Sequence, residues 1–157
     1  MTDILPTGDA VIQFHDRFLA SHGGPAPAAE TAEVPAASSL WTWVGANHRN
    51  NGLLWAEEDL ARRTQVSDAE IALNKRRIDG YNQARNDATE RVDEWLLIAL
   101  RLVDEASARG DMPISRAAAG ARLNSETAGS MIDRMSIMAL KIDAMRRQTE
   151  RNDVDEA

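Results

Sequence analysis

The sequence predicts an all-α fold. Apolar residues recur three and four positions apart over long stretches, no segment alternates with the period of a strand, and helix-capping residues open the later segments. The architecture that follows is an antiparallel bundle of three long helices plus a short N-terminal helix on a Pro/Ala/Gly linker. No internal repeat is evident. A chain of 157 residues is long enough for one domain with a substantial core.

The first element spans DAVIQFHDRFLASH, Asp9 to His22, with Val11, Ile12, Phe14, Phe18 and Leu19 as its apolar side. Residues 1–22 therefore read as an amphipathic docking helix. His15 lies among alternating polar and apolar positions and is expected to be partly exposed; His22, ahead of two glycines, is expected to be solvated. Residues 23–37, GGPAPAAETAEVPAA, hold three prolines and no aromatic residue. This is the composition of a flexible or extended linker that lets the first helix swing or swap.

The bundle domain occupies residues 38–150. Its first helix is expected from Ser38 or Ser39 to Gln65, with Leu40, Trp41, Val44, Leu54 and Trp55 as apolar positions. Asn50, Asn51 and Gly52 predict a bend in its middle. Ser67 with Glu70 forms a capping box that opens the next helix, which is expected to reach Arg109, with Gly110 as its stop and Gly80 as a candidate break point. That helix would be roughly 60 Å long at 1.5 Å per residue. A connector over Asp111–Leu123 leads to a last helix capped at Asn124 or Ser125. Its methionines, Met131, Met135, Met138 and Met145, read most simply as core, with an adaptable docking surface as the alternative. Residues 151–157 read as a disordered acidic tail.

Composition narrows the function classes. The 18 basic and 25 acidic residues give a net charge of −7, which argues against nonspecific binding to nucleic acid or to an anionic membrane. The absence of cysteine rules out disulfides, thiolate metal sites and cysteine catalysis. No stretch approaches a membrane span and the N-terminus has no secretory signal pattern, so the expected compartment is the cytoplasm. The Ala-rich, Arg-over-Lys composition points to a bacterial source.

The most informative stretch is KRRIDGYNQARNDATERVD, Lys75 to Asp93. Steps of three and four run through Ile71, Lys75, Ile78, Asn82, Arg85, Thr89, Val92 and Leu96, so polar groups interrupt the apolar stripe in mid-helix. The adjoining stripe adds Asp79, Asn86, Glu90 and Asp93. Polar groups on a core face form either a satisfied network or a site, because burying them unpaired costs a few kcal/mol each. An antiparallel hairpin turning near Val66 sets Glu58 level with Lys75, Asn51 with Asn82, and His48 near Asn86 and Glu90. Trp55 would lie near Ile78 and Asp79.

Three readings of this constellation stay open. An anion pocket would use Arg62, Lys75 and Arg85 to hold a phosphate, sulfate or carboxylate while Asn82 and Asn86 orient it. His48 or Glu90 would then move the proton, with Glu58, Asp79 and Asp93 as further lining. Arg134 joins this group through the start of the last helix, whose backbone N–H groups could meet an anion. A divalent metal is the second reading, through Glu58, Asp59, Asp79, Glu90 or Asp93. The Glu-x-x-His pairs of di-iron bundles are absent, since Gly45 precedes His48. The Glu57–Glu58 and Glu90-x-x-Asp93 carboxylates resemble faintly those of all-α nucleotide pyrophosphatases, but their spacing is wider and a third upstream carboxylate is missing. No metal site is assigned and the cofactor is unknown. The third reading is a structural network, or a polar interface between copies of the chain.

LLWAEEDLAR (Leu53–Arg62), KRRIDGYNQARNDATERVD (Lys75–Asp93) and LNSETAGSMIDRMSIMALKI (Leu123–Ile142) resemble a bacterial family of small all-helical proteins known as a domain of unknown function. The resemblance runs from Leu53 to Met145. It implies a shared job for the polar stripe and the start of the last helix, without naming that job. It also implies a biosynthetic setting, since relatives lie beside cell-envelope glycosyltransferase genes. The expected function is therefore an accessory or partner subunit of a biosynthetic enzyme, working through a protein partner as a homo-oligomer or a heteromeric complex. The alternative is a small enzyme or binding protein with the anion pocket above.

Overall fold

The computed structural model describes residues 5–22 and 39–151. The linker expected over residues 23–37 and the acidic tail beyond residue 151 lie outside the described residues. Four helices make up the described chain: α1 (Gly8–His22), α2 (Leu40–Ala61), α3 (Asp68–Ala99) and α4 (Ala128–Thr149).

The helices start where the sequence supplies donors and acceptors for the free backbone groups of a first turn. At Ser67 both halves of the capping box form: Ser67 Oγ accepts from the Glu70 backbone N–H at 3.3 Å, and the Glu70 carboxylate accepts from the Ser67 N–H at 3.1 Å. Those bonds hold the Glu70 carboxyl below its ordinary value. The cap of α4 is Thr127, which accepts from Ser130 N at 3.1 Å, rather than Asn124 or Ser125. A second acceptor reaches the same helix start from α3, since Gly129 N donates to Asp93 Oδ1 at 2.7 Å.

α3 runs uninterrupted through Gly80, so the candidate break does not occur there, and α2 is likewise continuous through Gly52. α3 instead ends at Ala99, ten residues before the expected stop at Arg109. Arg101 takes a left-handed conformation (φ 58°), which turns the chain away from the helix axis. The chain then folds back on itself through an isolated bridge between Val103 and Ser115, with Arg116 N donating to Leu102 O at 2.8 Å. Glu94 ties this segment to α3 by accepting from Arg109 Nε at 2.6 Å, and it also pairs with Arg91. Burial opposes its charge, yet these two guanidinium groups hold the Glu94 carboxyl below its ordinary value.

α2 is the central element. Leu40, Val44, Gly45, Asn47, His48, Asn51 to Leu54 and Glu57 are buried, and the face of Thr42, Ala46, Arg49 and Asn50 is partly open. A helix so largely buried needs neighbours on most of its sides: α3 lies against it as the second arm of an antiparallel hairpin, and α1 and α4 pack on it as well. The apolar core joins Val11, Leu40, Val44, Val92, Leu96 and Ile132, with Phe14, Trp41, Trp43, Trp95 and Met135 packed around it. α1 packs on α2 and α4.

α4 turns a different face inward from the one its methionines suggest. Gly129, Ile132, Ser136 and Leu140 are buried, whereas Met131, Met138, Ile142 and Met145 are exposed. Gly129 permits the close approach, since a Cβ there would stand 2.7 Å from Thr89 O and 2.8 Å from the Asp93 carboxyl.

Candidate functional site

Two features stand out: a buried polar network where α2, α3 and α4 meet, and an apolar groove between α1 and α4. The network begins at Asn47 and Asn51, one turn apart on α2. Asn47 Nδ2 donates to Asp133 Oδ1 at 2.7 Å and to Thr89 Oγ1 at 3.1 Å. Asn51 Nδ2 donates to the same Asp133 oxygen at 2.9 Å, to Ser136 Oγ at 3.0 Å and to Asn47 Oδ1 at 3.2 Å. Arg85 brings its guanidinium to 4.0 Å from Asp133 and donates to Asn86 Oδ1 at 3.2 Å. Thr89 returns its own proton to Arg85 O at 3.0 Å, the usual back-bond of a helical threonine.

His48 extends the network toward α1, with its Nδ1 2.8 Å from Ser136 Oγ. That hydroxyl also accepts from Asn51, so Ser136 joins the α2 amide to the His48 ring. Nε2 has no hydrogen-bond partner among the described residues. The ring is stacked on His15 of α1, centroids 4.5 Å apart at 20°, and meets the edge of Phe18 at 5.1 Å. His15, expected to be partly exposed, is completely buried, and neither of its ring nitrogens has a partner among the described residues. Burial holds both imidazoles neutral: His15 is lowered to about 4, with Asp16 opposing, and His48 to about 3, with His15 adding to the effect.

The residues singled out in the sequence fall in different places. His48 and Arg85 belong to the network. Asp93 is half-buried and serves the start of α4. Asn82 and Glu58 are half-buried, and Asn86 is exposed beside Arg85. Lys75, Asp79 and Glu90 are exposed along α3. Arg62, at the C-cap of α2, pairs with Asp59 at 3.2 Å, and Arg134 pairs with Glu126. The hairpin is turned by about one residue from the expected register, a rotation of about 100°. Glu57, not Glu58, faces α3, accepting from Asn74 Nδ2 at 2.5 Å and from Arg77 at 3.3 Å. Trp55 faces α4, where it lines a recess with Leu140 and Ala144, and not Ile78 and Asp79.

Asn47, Asp133, Ser136 and His15 complete the network and were not singled out as site residues. The available signal was the stripe Gly129, Ile132, Ser136 and Leu140, whose small and polar members match the asparagines of α2. Asn47, Asn51 and Asp133 are bonded to one another or to other protein groups, and Ser136 is buried with its Oγ against His48, while His48 Nε2 and Arg85 Nε have no hydrogen-bond partner among the described residues. Among the described residues no three His, Asp or Glu side chains converge as a metal site would require.

The groove is the second feature. Ile12, His15 and Asp16 of α1 face Met131, Arg134, Met135, Met138, Ala139 and Ile142 of α4, with Glu126 at one lip. It encloses about 530 Å³ and opens to solvent.

Bundle, network and groove together define a small all-α protein with a polar lock inside and an apolar surface outside. The chain belongs to the family described as Protein of unknown function (DUF4254), which matches residues 41–157. No curated protein and no solved structure matches it. No helix of the described residues is long and apolar enough to cross a membrane.

Proposed function

We propose that the protein is an accessory subunit of a bacterial biosynthetic pathway, working in the cytoplasm by binding a helix of a partner protein in the α1–α4 groove. The carrying observation is the row of exposed apolar side chains on α4, Met131, Met138 and Ile142, facing Ile12 across a groove of about 530 Å³. A row spaced three and four residues apart suits an amphipathic helix laid along it, and methionine adapts to such a partner. The net charge of −7, with Asp16 at the groove while Glu126 is paired with Arg134, favours a partner helix flanked by lysine and arginine.

The anion-pocket alternative draws on one observation, the buried Arg85 Nε that lacks a hydrogen-bond partner among the described residues. Its support is weaker, because the same guanidinium already faces Asp133 and Asn86.

The test is a photo-crosslinking side chain placed at Met138, compared with one at exposed Lys75, in the native host. The expected result is a discrete cross-linked protein from position 138 only, lost on Ile142→Glu, with the joined segment an apolar helix flanked by basic residues. Equal labelling from both positions, or labelling indifferent to Ile142→Glu, would overturn the reading.

A further inference from the structure

α1 is bound to the rest of the molecule in an unusual way. It lies before the matched family region, which begins at residue 41. It inserts Val11 and Leu19 into the interior, and Phe14 stacks on Trp41 at 5.1 Å. Gly45 of α2 lies directly under the Phe14 ring, which is 3.4 Å from where a Cβ would stand. In the middle of this otherwise apolar contact sit two fully buried imidazoles, stacked face to face, with three of their four ring nitrogens unpartnered among the described residues.

Apolar pairs would serve a permanent contact better. An unsatisfied buried donor or acceptor weakens whatever buries it, and here all three belong to the joint between α1 and the family domain. Water would satisfy all three once α1 moved away. The stack also has a chemical trigger. Two neutral imidazoles tolerate a 4.5 Å separation, whereas two imidazolium ions at that distance, out of water, repel.

We propose that the α2–α4 face carrying His48 and Ser136 is a helix-docking site that α1 of the same chain occupies reversibly, and that protonation of the His15–His48 pair releases it.

The charged groups around the pair do not cancel the effect. On α1, Asp16 favours a charged His15, but the depth of burial outweighs it. On α4, Arg134 at the groove opposes a second positive charge and is itself paired with Glu126. Asp133 is engaged by Asn47 and Asn51, and its link to His48 runs through Asn51 and the Ser136 hydroxyl. Arg85 of α3 stands beyond Asp133, and the α3 residues that share the core with α1, Val92 and Leu96, carry no charge. Once α1 is undocked, both rings return toward the ordinary histidine value of about 6.5. The docked rings hold values of about 4 and about 3, so protons are taken up on release. Docking is therefore at full strength above about pH 7 and weakens as the pH falls below about 6.5. Linkage puts the loss on the order of a hundredfold or more at pH 5.

Hydrogen exchange on the full chain, at pH 7.5 and pH 5 and corrected for intrinsic rates, tests this. The amides of α1 should lose protection by that factor while those of α2, α3 and α4 keep most of theirs. His15→Leu, which keeps the volume and removes the titration, should raise α1 protection at pH 5 at least tenfold over wild type. His15→Phe should do the same and serves if the leucine variant fails to dock. Uniform loss across all four helices, or a drop unchanged in both variants, would overturn the proposal. So would α1 protection that rises with protein concentration, since the occupant would then come from a second copy.

Discussion

At the scale of single residues, Asn51 and Asn86 separate structural from surface polarity. Asn51 is buried and donates to three groups on two helices, whereas Asn86 is exposed and accepts from its neighbour Arg85. Asn51→Leu would leave the Ser136 hydroxyl and the Asp133 carboxylate each short of a donor inside the bundle. The expected cost is about 2–4 kcal/mol. Asn86→Leu should stay within about 0.5 kcal/mol of wild type. Urea unfolding of the two variants at pH 7.5 measures both, and equal losses would mean that the network is not what holds these helices in register. The contrast also shows how far the residues were legible. Lys75 to Asp93 announces that something polar interrupts a core face, but only Arg85 and Thr89 of that stretch join the buried network. Lys75, Asp79, Asn86 and Glu90 are turned to solvent and Asp93 serves a helix end, because a register difference of one residue moves every side chain through about 100°.

Among the elements, the starts of α3 and α4 are legible in the sequence and the end of α3 is not. Ser67 and Glu70 announce a start through groups that bond locally, so neighbours in sequence suffice to see it. The stop at Ala99 has no glycine or proline to mark it. It depends on Arg101 turning left-handed and on Glu94 reaching Arg109, contacts that local pattern does not encode. α4 misleads for a related reason. Its strongest apolar stripe is the methionine one, yet Asp133 and Ser136 must meet Asn47 and Asn51, and that requirement leaves Met135 against the core and turns Met131, Met138 and Met145 outward. Two glycines make the distinction measurable. Gly80 is exposed in the middle of α3, and a methyl group added to it would have no neighbour within 4 Å. Gly80→Ala should therefore stabilise the chain by about 0.5–1 kcal/mol through helix propensity and a less flexible unfolded state. Gly129→Ala would drive its Cβ against Thr89 O and the Asp93 carboxyl, and should cost about 1–3 kcal/mol, the range of an overpacked core position. Opposite shifts in the thermal midpoint are expected, and a stabilising Gly129→Ala would show that α4 is free to move off α3.

For the whole molecule, the deciding balance lies between an uncovered apolar groove and a net charge of −7. Two copies pressing their α4 faces together would hide Met131, Met138 and Ile142, a gain proportional to the apolar area removed from water. They would also bring like charges together, a cost that acts over about 10 Å at 0.1 M salt and only about 3 Å at 1 M. The purified chain should therefore stay monomeric at low ionic strength and associate weakly as salt is raised, the reverse of what ion pairs across an interface would produce. Met138→Glu places a charge in the middle of the exposed row. Because that side chain is 51% exposed in the monomer, the substitution should leave the unfolding midpoint almost unchanged while abolishing the association. Sedimentation of wild type and variant at about 0.05 M and about 0.5 M sodium chloride reads both effects. Association that weakens with salt would place the contact on charged surface elsewhere and remove the groove from consideration as the adhesive face. Association that strengthens with salt and disappears in Met138→Glu would locate the sticky surface on α4, the surface to which a basic helix would bind more tightly than a second acidic copy can.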